Sequence, residues 1–407
     1  MRTVRCAAPL VGFLILAQAA LAAPVRGLSH AARGAERAAV CTRSWQIVPS
    51  PNSSAFDDNM LLAVSASGKD DAWAVGFLGS GSAGFIGTLT LHWNGSSWNV
   101  VDSPNPTSFF NALFGVVAIA PDDAWAVGFY ARSPAHFRER PLSMHWDGAS
   151  WNVVRPPRPP RTVASLSDVD AASSGKVWAV GYSAHESSED NRTLVESWTG
   201  SRWEIVPSPT PRSGVTRLAA VDALNPRKAW AVGVQGQINR GKTLAERWDG
   251  RRWAEMASPS VGKGVSALNG VSVRTPTDAW AVGSFQTGLE SFQPLAEHFD
   301  GRTWSVVTTP RIRGTGSLTA VASRSRHDAW AVGGHELPHR GGRSLVEQWD
   351  GSRWAVESVP RPPGSLEEGL SSVALDRAGN VWAVGNYSAV VGGRFLSRTL
   401  IERLCRG

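Results

Sequence analysis

Three carboxylates stand where the rest of a repeating pattern is small or weakly polar. Asp168 takes a place held elsewhere by Ala63, Gly115, Ala220, Gly270, Ala320 and Ser372, and Asp170 and Asp222 take one held by Ser, Val or Ala. Clustered carboxylates can trade protons with a substrate or hold a cation. They are weak catalytic candidates, and a cation is the one cofactor they would admit. Hydrogen bonding to a neighbouring turn is the plainer use.

His335-Glu336-Leu337-Pro338-His339 fits H-E-x-x-H. That zinc chemistry needs both histidines on one face of a helix. Gly333-Gly334 precede the run and Pro338 interrupts it, so no such helix is expected, and a metal site in this loop would need ligands from elsewhere. A further set combines rings with hydrogen-bonding side chains, the equipment for holding sugars and polar polymers. It comprises Tyr130, Arg132, His136, Arg138, Tyr182, His185, Gln235, Phe285, His335 and Tyr387.

These residues are positioned by a repeat. Trp-Ala-Val-Gly begins at Trp73, Trp125, Trp178, Trp230, Trp280, Trp330 and Trp382, at intervals of 50 to 53 residues, with Leu twelve and Val nine positions before each Trp. Four short strand signals per unit of this length predict an all-β, seven-bladed β-propeller of four-stranded antiparallel blades. We name the strands a (Leu-x-x-Val), b (Trp-Ala-Val-Gly), c (an alternating run such as Leu244–Trp248) and d (opened by a Trp five residues past the end of c). Asp-Gly or a relative joins c to d as a hairpin. All nineteen tryptophans fall on repeat positions, which assigns them to packing between blades. Glu196, Glu246, Glu297, Glu347 and Glu402 recur in strand c, replaced by Leu91 and Met144 in two repeats, and are expected to pack or pair between blades.

Six hairpins serve seven Trp-Ala-Val-Gly strands. Ser44–Pro49 reads as an orphan strand d and Thr399–Leu404 as an orphan strand c, so the N-terminal strand is expected to complete the last blade. Cys41 and Cys405 then meet at the missing turn and are expected to form a disulfide, a closure worth on the order of 5 kcal/mol in chain-entropy models. Arg2 and Arg5 before the apolar run Leu10–Leu21 give residues 1–23 the layout of a secretory signal peptide, which would remove Cys6. Residues 24–40 read as a flexible basic leader and 41–405 as one propeller domain.

The formal charge of +7 falls to about +5 without the two signal arginines, and basic residues are scattered over every repeat with no Lys/Arg run. Nucleic-acid binding is therefore not expected. The a–b and c–d connections keep their lengths while b–c and d–a vary, which places function on the variable-loop face.

Asp-Ala-Trp-Ala-Val-Gly followed by Leu-x-Glu-x-Trp-Asp-Gly-x-x-Trp resembles the tandem repeats of secreted bacterial propellers described as kelch-like, over residues 41–405. The Gly-Gly pair of true kelch repeats occurs once, at Gly333-Gly334, so kelch function does not follow. The Trp-Asp-Gly-x-x-Trp hairpin is similar to one in bacterial seven-bladed lectins, which implies sugar binding. The sequence thus points to a secreted, monomeric binding module for an extracellular glycan or protein, without a membrane span. A hydrolase or lyase using carboxylates and His at the channel mouth is the alternative, and a structural envelope or matrix protein the second.

Overall fold

The computed structural model describes residues 44–53, 57–80, 84–134, 137–159, 162–185, 190–210, 214–237, 239–337 and 341–406. The expected signal peptide, the leader and Cys41 lie outside these residues. The described chain is all-β, with 28 strands that fall into seven antiparallel sets of four. In sheet 3, for example, strands a to d are Thr162–Ser173, Lys176–His185, Asn191–Trp198 and Trp203–Ile205. Sheets 1 and 2 are also linked by one parallel bridge, Ile86 to Phe110. In sheet 7, strands a to c are Glu367–Leu375, Val381–Val391 and Arg394–Leu404, and strand d is the N-terminal Trp45–Ile47. Trp45 is in register with Leu404, as the orphan-strand argument requires.

The invariant glycine of Trp-Ala-Val-Gly has a steric cause. Strand a carries a bulge in every sheet, between Leu61 and Ala63 in sheet 1 and between Leu218 and Ala220 in sheet 4. A bulge adds a residue and kinks its strand. The displaced carbonyl of Met60 or Arg217 then occupies the place that a Cβ on Gly76 or Gly233 would need.

Seven apolar clusters fill the spaces between sheets. Val117, Trp125 and Val127 of sheet 2 pack on Leu166, Val169 and Trp203 of sheet 3, and so on through the chain. The last space joins Trp382, Val384 and Ile401 of sheet 7 to Leu61, Trp93 and Trp98 of sheet 1. Every strand-b Trp but Trp330 enters between two rings of the next sheet; Trp330 meets Trp45 alone, because Leu404 takes the other ring's place. Trp178 lies 4.9 Å from Trp248 and 5.2 Å from Trp253, and Trp382 lies 5.1 Å from Trp93 and 5.4 Å from Trp98. Edge-to-face and tilted pairs at such spacings add about 0.5–1.5 kcal/mol each beyond burial.

The c–d hairpin is a four-residue turn in which the Asp works as an acceptor. Asp249 Oδ1 accepts the N–H groups of Arg251 and Arg252 at 2.8 and 3.0 Å, and Gly250 supplies the positive φ of 102°. Backbone donors of this kind hold the Asp147, Asp249 and Asp300 carboxyls below the ordinary range. Asp350, which accepts from Ser352 and Arg353, falls to about 2.

The five repeated glutamates pack but do not pair. Glu196, Glu246, Glu347 and Glu402 are fully buried with neither carboxyl oxygen hydrogen-bonded among the described residues, and Glu297 receives one bond, from Ser258 at 2.8 Å. Burial raises Glu196, Glu246, Glu347 and Glu402 to about 8 and Glu297 to about 7. The four raised to about 8 favour the protonated form at neutral pH, because an ion in this apolar space would cost far more than a neutral acid.

Candidate functional site

Two kinds of surface arise from this topology. The turn glycines of c–d pack on the a–b turn of their own sheet: a Cβ on Gly95 would sit 3.1 Å from Asp70 and one on Gly250 3.3 Å from Arg227. The constant connections therefore share one face. On the other, d–a loops are tied to b–c hairpins, as where Val215 N–H donates to Gly236 O at 2.7 Å and Leu366 N–H to Ser388 O at 2.8 Å.

The three unusual aspartates join neighbouring a strands. Asp168 Oδ2 accepts Val221 N–H at 2.9 Å, Asp170 Oδ2 accepts Ala223 N–H at 2.7 Å, and Asp222 Oδ2 accepts Val273 N–H at 2.9 Å. Ser65, Ser272 and Ser372 do the same work elsewhere, bonding Ala118 N–H, Ser323 N–H and Val64 N–H. Asp168, Asp170 and Asp222 keep partial exposure, yet crowding by adjacent strands raises Asp168 to about 7 and Asp170 to about 6. Burial, followed by the charges of Asp170 and Asp168, raises Asp222 well above the usual carboxylate range. Among the described residues no group of three or more His, Cys, Asp or Glu side chains could hold a metal ion.

The ring-bearing candidates were expected in loops, but strand b continues past Trp-Ala-Val-Gly and carries most of them. Tyr130 closes on the apolar space between sheets 1 and 2, Phe285 on that between 4 and 5, and Tyr387 on that between 6 and 7. Tyr182 is 6 % exposed. Its hydroxyl donates to Glu139 Oε2 in the b–c loop of sheet 2. Burial raises both the Tyr182 phenol and the Glu139 carboxyl and lowers Arg217 beside them. Alternation along an extended strand explains the difference, since every second side chain turns to the neighbouring sheet.

His335 and Glu336 lie in strand b, Asp328–Leu337, so H-E-x-x-H forms no helix over its described part. Burial holds the partly buried His335 below its usual value. Pro338 and His339 lie outside the described residues, as does His136. Arg132, Arg138 and His185 are exposed at the variable-loop face. Gln235 Nε2 donates to Glu255 at 2.7 Å in a groove of about 470 Å³ lined also by Arg240, Lys242, Thr243 and Ser260.

The densest aromatic feature on this face involves residues from three separated segments. Phe110 stacks on Phe129 at 4.9 Å and 6°, and Phe114 lies 5.5 Å from Phe129. Phe137 stands edge-on over the group, 5.4 Å from Phe110, 6.0 Å from Phe129 and 6.3 Å from Phe109. Phe137 is 44 % exposed and shares the b–c loop of sheet 2 with the exposed Arg132 and Arg138 and the buried Glu139. The hint in the sequence was the doubled Phe109-Phe110 at the entry to strand a, where other repeats have polar residues or a single apolar one.

No family model matches the chain, and no curated protein matches it. Solved structures do match. The YCF48 structure bound to D1 peptide is 13 % identical with a TM-score of 0.55, over 91 % of this chain and 99 % of that one. YCF48 from Cyanidioschyzon merolae is 14 % identical with a TM-score of 0.52, over 89 % and 98 %. A protein of unknown function from Dyadobacter fermentans is 9 % identical with a TM-score of 0.50, again over 89 % and 98 %. At these identities the likeness concerns fold alone: repeated four-stranded blades of the β-propeller kind.

Proposed function

We propose that this chain is a secreted recognition module, a closed seven-bladed propeller that holds an extracellular peptide segment on its variable-loop face. Closure is supported by the cluster joining sheet 7 to sheet 1 and by Trp45–Ile47 pairing with strand c of sheet 7. Secretion rests on the signal-like residues 1–23 and the leader 24–40, and the kelch-like kinship on the repeat. Cys405 is disulfide-bonded, and Cys41 is the partner we assign. Peptide mapping without reductant should recover a Cys41–Cys405 fragment, and recovery of both as free thiols counts against the assignment.

The observation that carries the binding role is the exposed Phe137 above its aromatic group. An apolar side chain of a ligand would gain burial there, worth about 1.5–3 kcal/mol, while the exposed Arg132 suits a carboxylate beside it. The patch presents rings and few polar partners, which favours a peptide over a hydroxyl-rich sugar. YCF48 bound to D1 peptide is a neighbour of the same fold, and the peptide reading is ours for this chain. Screening the full chain on a peptide array should yield ligands with an aromatic or aliphatic residue near an acid, weakened about tenfold or more by Phe137→Ala. Unchanged affinity in that variant would move the site elsewhere.

A glycan is the second reading, favoured by the polar groove at Gln235, Arg240, Lys242 and Glu255. A glycan array decides it, with Gln235→Ala abolishing any specific signal. Hydrolase or lyase chemistry is the less favoured option, because Asp168, Asp170 and Asp222 are each engaged by a backbone N–H of the next strand a.

A further inference from the structure

The scattering of basic residues along the sequence resolves, in space, into an uneven charge on the constant-turn face. In sheets 1 and 2 the a–b turns carry Asp70 and Asp122, followed by Asp71 and Asp123 at the head of strand b. From sheet 4 onward an arginine stands in the a–b turn, the c–d turn or both of every sheet. Arg227 and Arg251 belong to sheet 4, Arg302 to sheet 5, Arg326 to sheet 6 and Arg377 to sheet 7, and all five are exposed. None of the five has a carboxylate within ion-pair distance among the described residues, although acids lie close by. Asp249, Asp300 and Asp350 spend Oδ1 on the backbone of their own turns, and Asp278 and Asp328 pair with Arg274 and Arg324. Arg227 lies against the Gly250 turn, so the a–b and c–d arginines of a sheet project from one surface.

We propose that the constant-turn face of sheets 4 to 7 is a docking surface for a linear anionic polysaccharide carrying uronate or sulfate groups, and that it is independent of the variable-loop site. The charge recurs from sheet to sheet, which suits a polymer whose anionic groups also recur. Guanidinium groups take carboxylate and sulfate oxygens two at a time. The turns of sheets 1 and 2 hold no arginine, Asp70 is paired with Lys69 at 2.6 Å and the exposed Asp122 repels such a chain, so the track ends there. Single-stranded nucleic acid would want exposed rings for its bases, whereas the tryptophans that open strand d here, Trp253, Trp304 and Trp354, are 3 to 5 % exposed.

The test uses the full chain on surfaces coated with alginate, neutral dextran or polyuridylate. Alginate should be bound at about 50 mM salt and released by about 0.5 M, the behaviour of a contact made through several screened charges. The triple variant Arg251→Glu/Arg302→Glu/Arg326→Glu should bind alginate at least about tenfold more weakly at low salt with an unchanged melting temperature. Lys263→Glu/Arg311→Glu, on the opposite face, should stay within about twofold. Should the triple variant melt early, Arg302→Glu alone should show a shallower dependence on salt. No binding of alginate at low salt, equal binding of dextran or polyuridylate, or equal loss in the opposite-face variant would overturn the proposal.

Discussion

Trp45 meets Trp330 edge to face, with ring centroids 5.5 Å apart and planes at 74°. It repeats the relation of Trp203 to Trp125 and of Trp253 to Trp178. The difference is that Trp45 comes from the far end of the chain, so strand b of sheet 6 packs on a ring of the N-terminal strand. Trp45→Ala should lower unfolding stability by about 3–5 kcal/mol, the usual result of emptying a buried aromatic site. Urea denaturation checks this, and a loss well under 1 kcal/mol would mean that the N-terminal strand adds little to the seam.

Gly233→Ala should be far more damaging than its one methyl suggests. The new Cβ would overlap the Arg217 carbonyl oxygen across the bulge. Backbone must move to admit it, so the variant should fall by about 3 kcal/mol or more or fail to accumulate. Gly369, in strand a of sheet 7, has open space around it, and Gly369→Ala should change the unfolding free energy by less than about 1 kcal/mol.

Asp222 separates the structural and the catalytic uses of its carboxylate. Asp222→Asn keeps an acceptor for Val273 N–H, whereas Asp222→Ala leaves that donor bare. We expect the Asn variant to melt near wild type and the Ala variant to lose about 1–3 kcal/mol. Equal melting of the two would show that the bond is dispensable and would reopen the question of chemistry at this position.

The buried glutamates give the fold a pH profile. Glu347 titrates near 8 in the folded chain against an ordinary 4.5, so folding holds its proton more tightly. Its favourable contribution is full below pH 4.5 and is lost as pH rises to about 8. Stability should therefore decline across that window. Glu347→Leu, copying the Leu91 of sheet 1, should raise the unfolding free energy by about 1–3 kcal/mol at pH 8 and by less at pH 5. Thermal melts at the two pH values test the difference, and an equal gain at both would assign the effect to packing alone.

The fold was legible because its determinants repeat. Spacing from Trp to Trp, the Asp-Gly turns and the orphan strands at Trp45 and Leu404 all recur or complete a recurrence, and the structure places them accordingly. The site was much less so. Tyr182 and Phe285 looked like loop residues because nothing in sequence marks where strand b stops, and burial depends on that stop. Phe109, Phe129 and Phe137 come together through a d–a loop, a strand and a b–c loop, a meeting that no periodicity encodes. Asp168 and Asp222 stood out correctly as exceptions, but their partners, Val221 N–H and Val273 N–H, belong to the next repeat and carry no side-chain signal.

Each sheet ends outward in a strand d of only three or four residues, and these strands bear the exposed Val100, Val153, Val306 and Val356. A longer edge with such residues would invite sheet-to-sheet association between molecules. Here the unpaired N–H and C=O groups run out within one turn's length, and prolines such as Pro104, Pro207 and Pro259 soon follow. The outer margin can thus carry exposed valines while offering little strand edge for pairing between molecules.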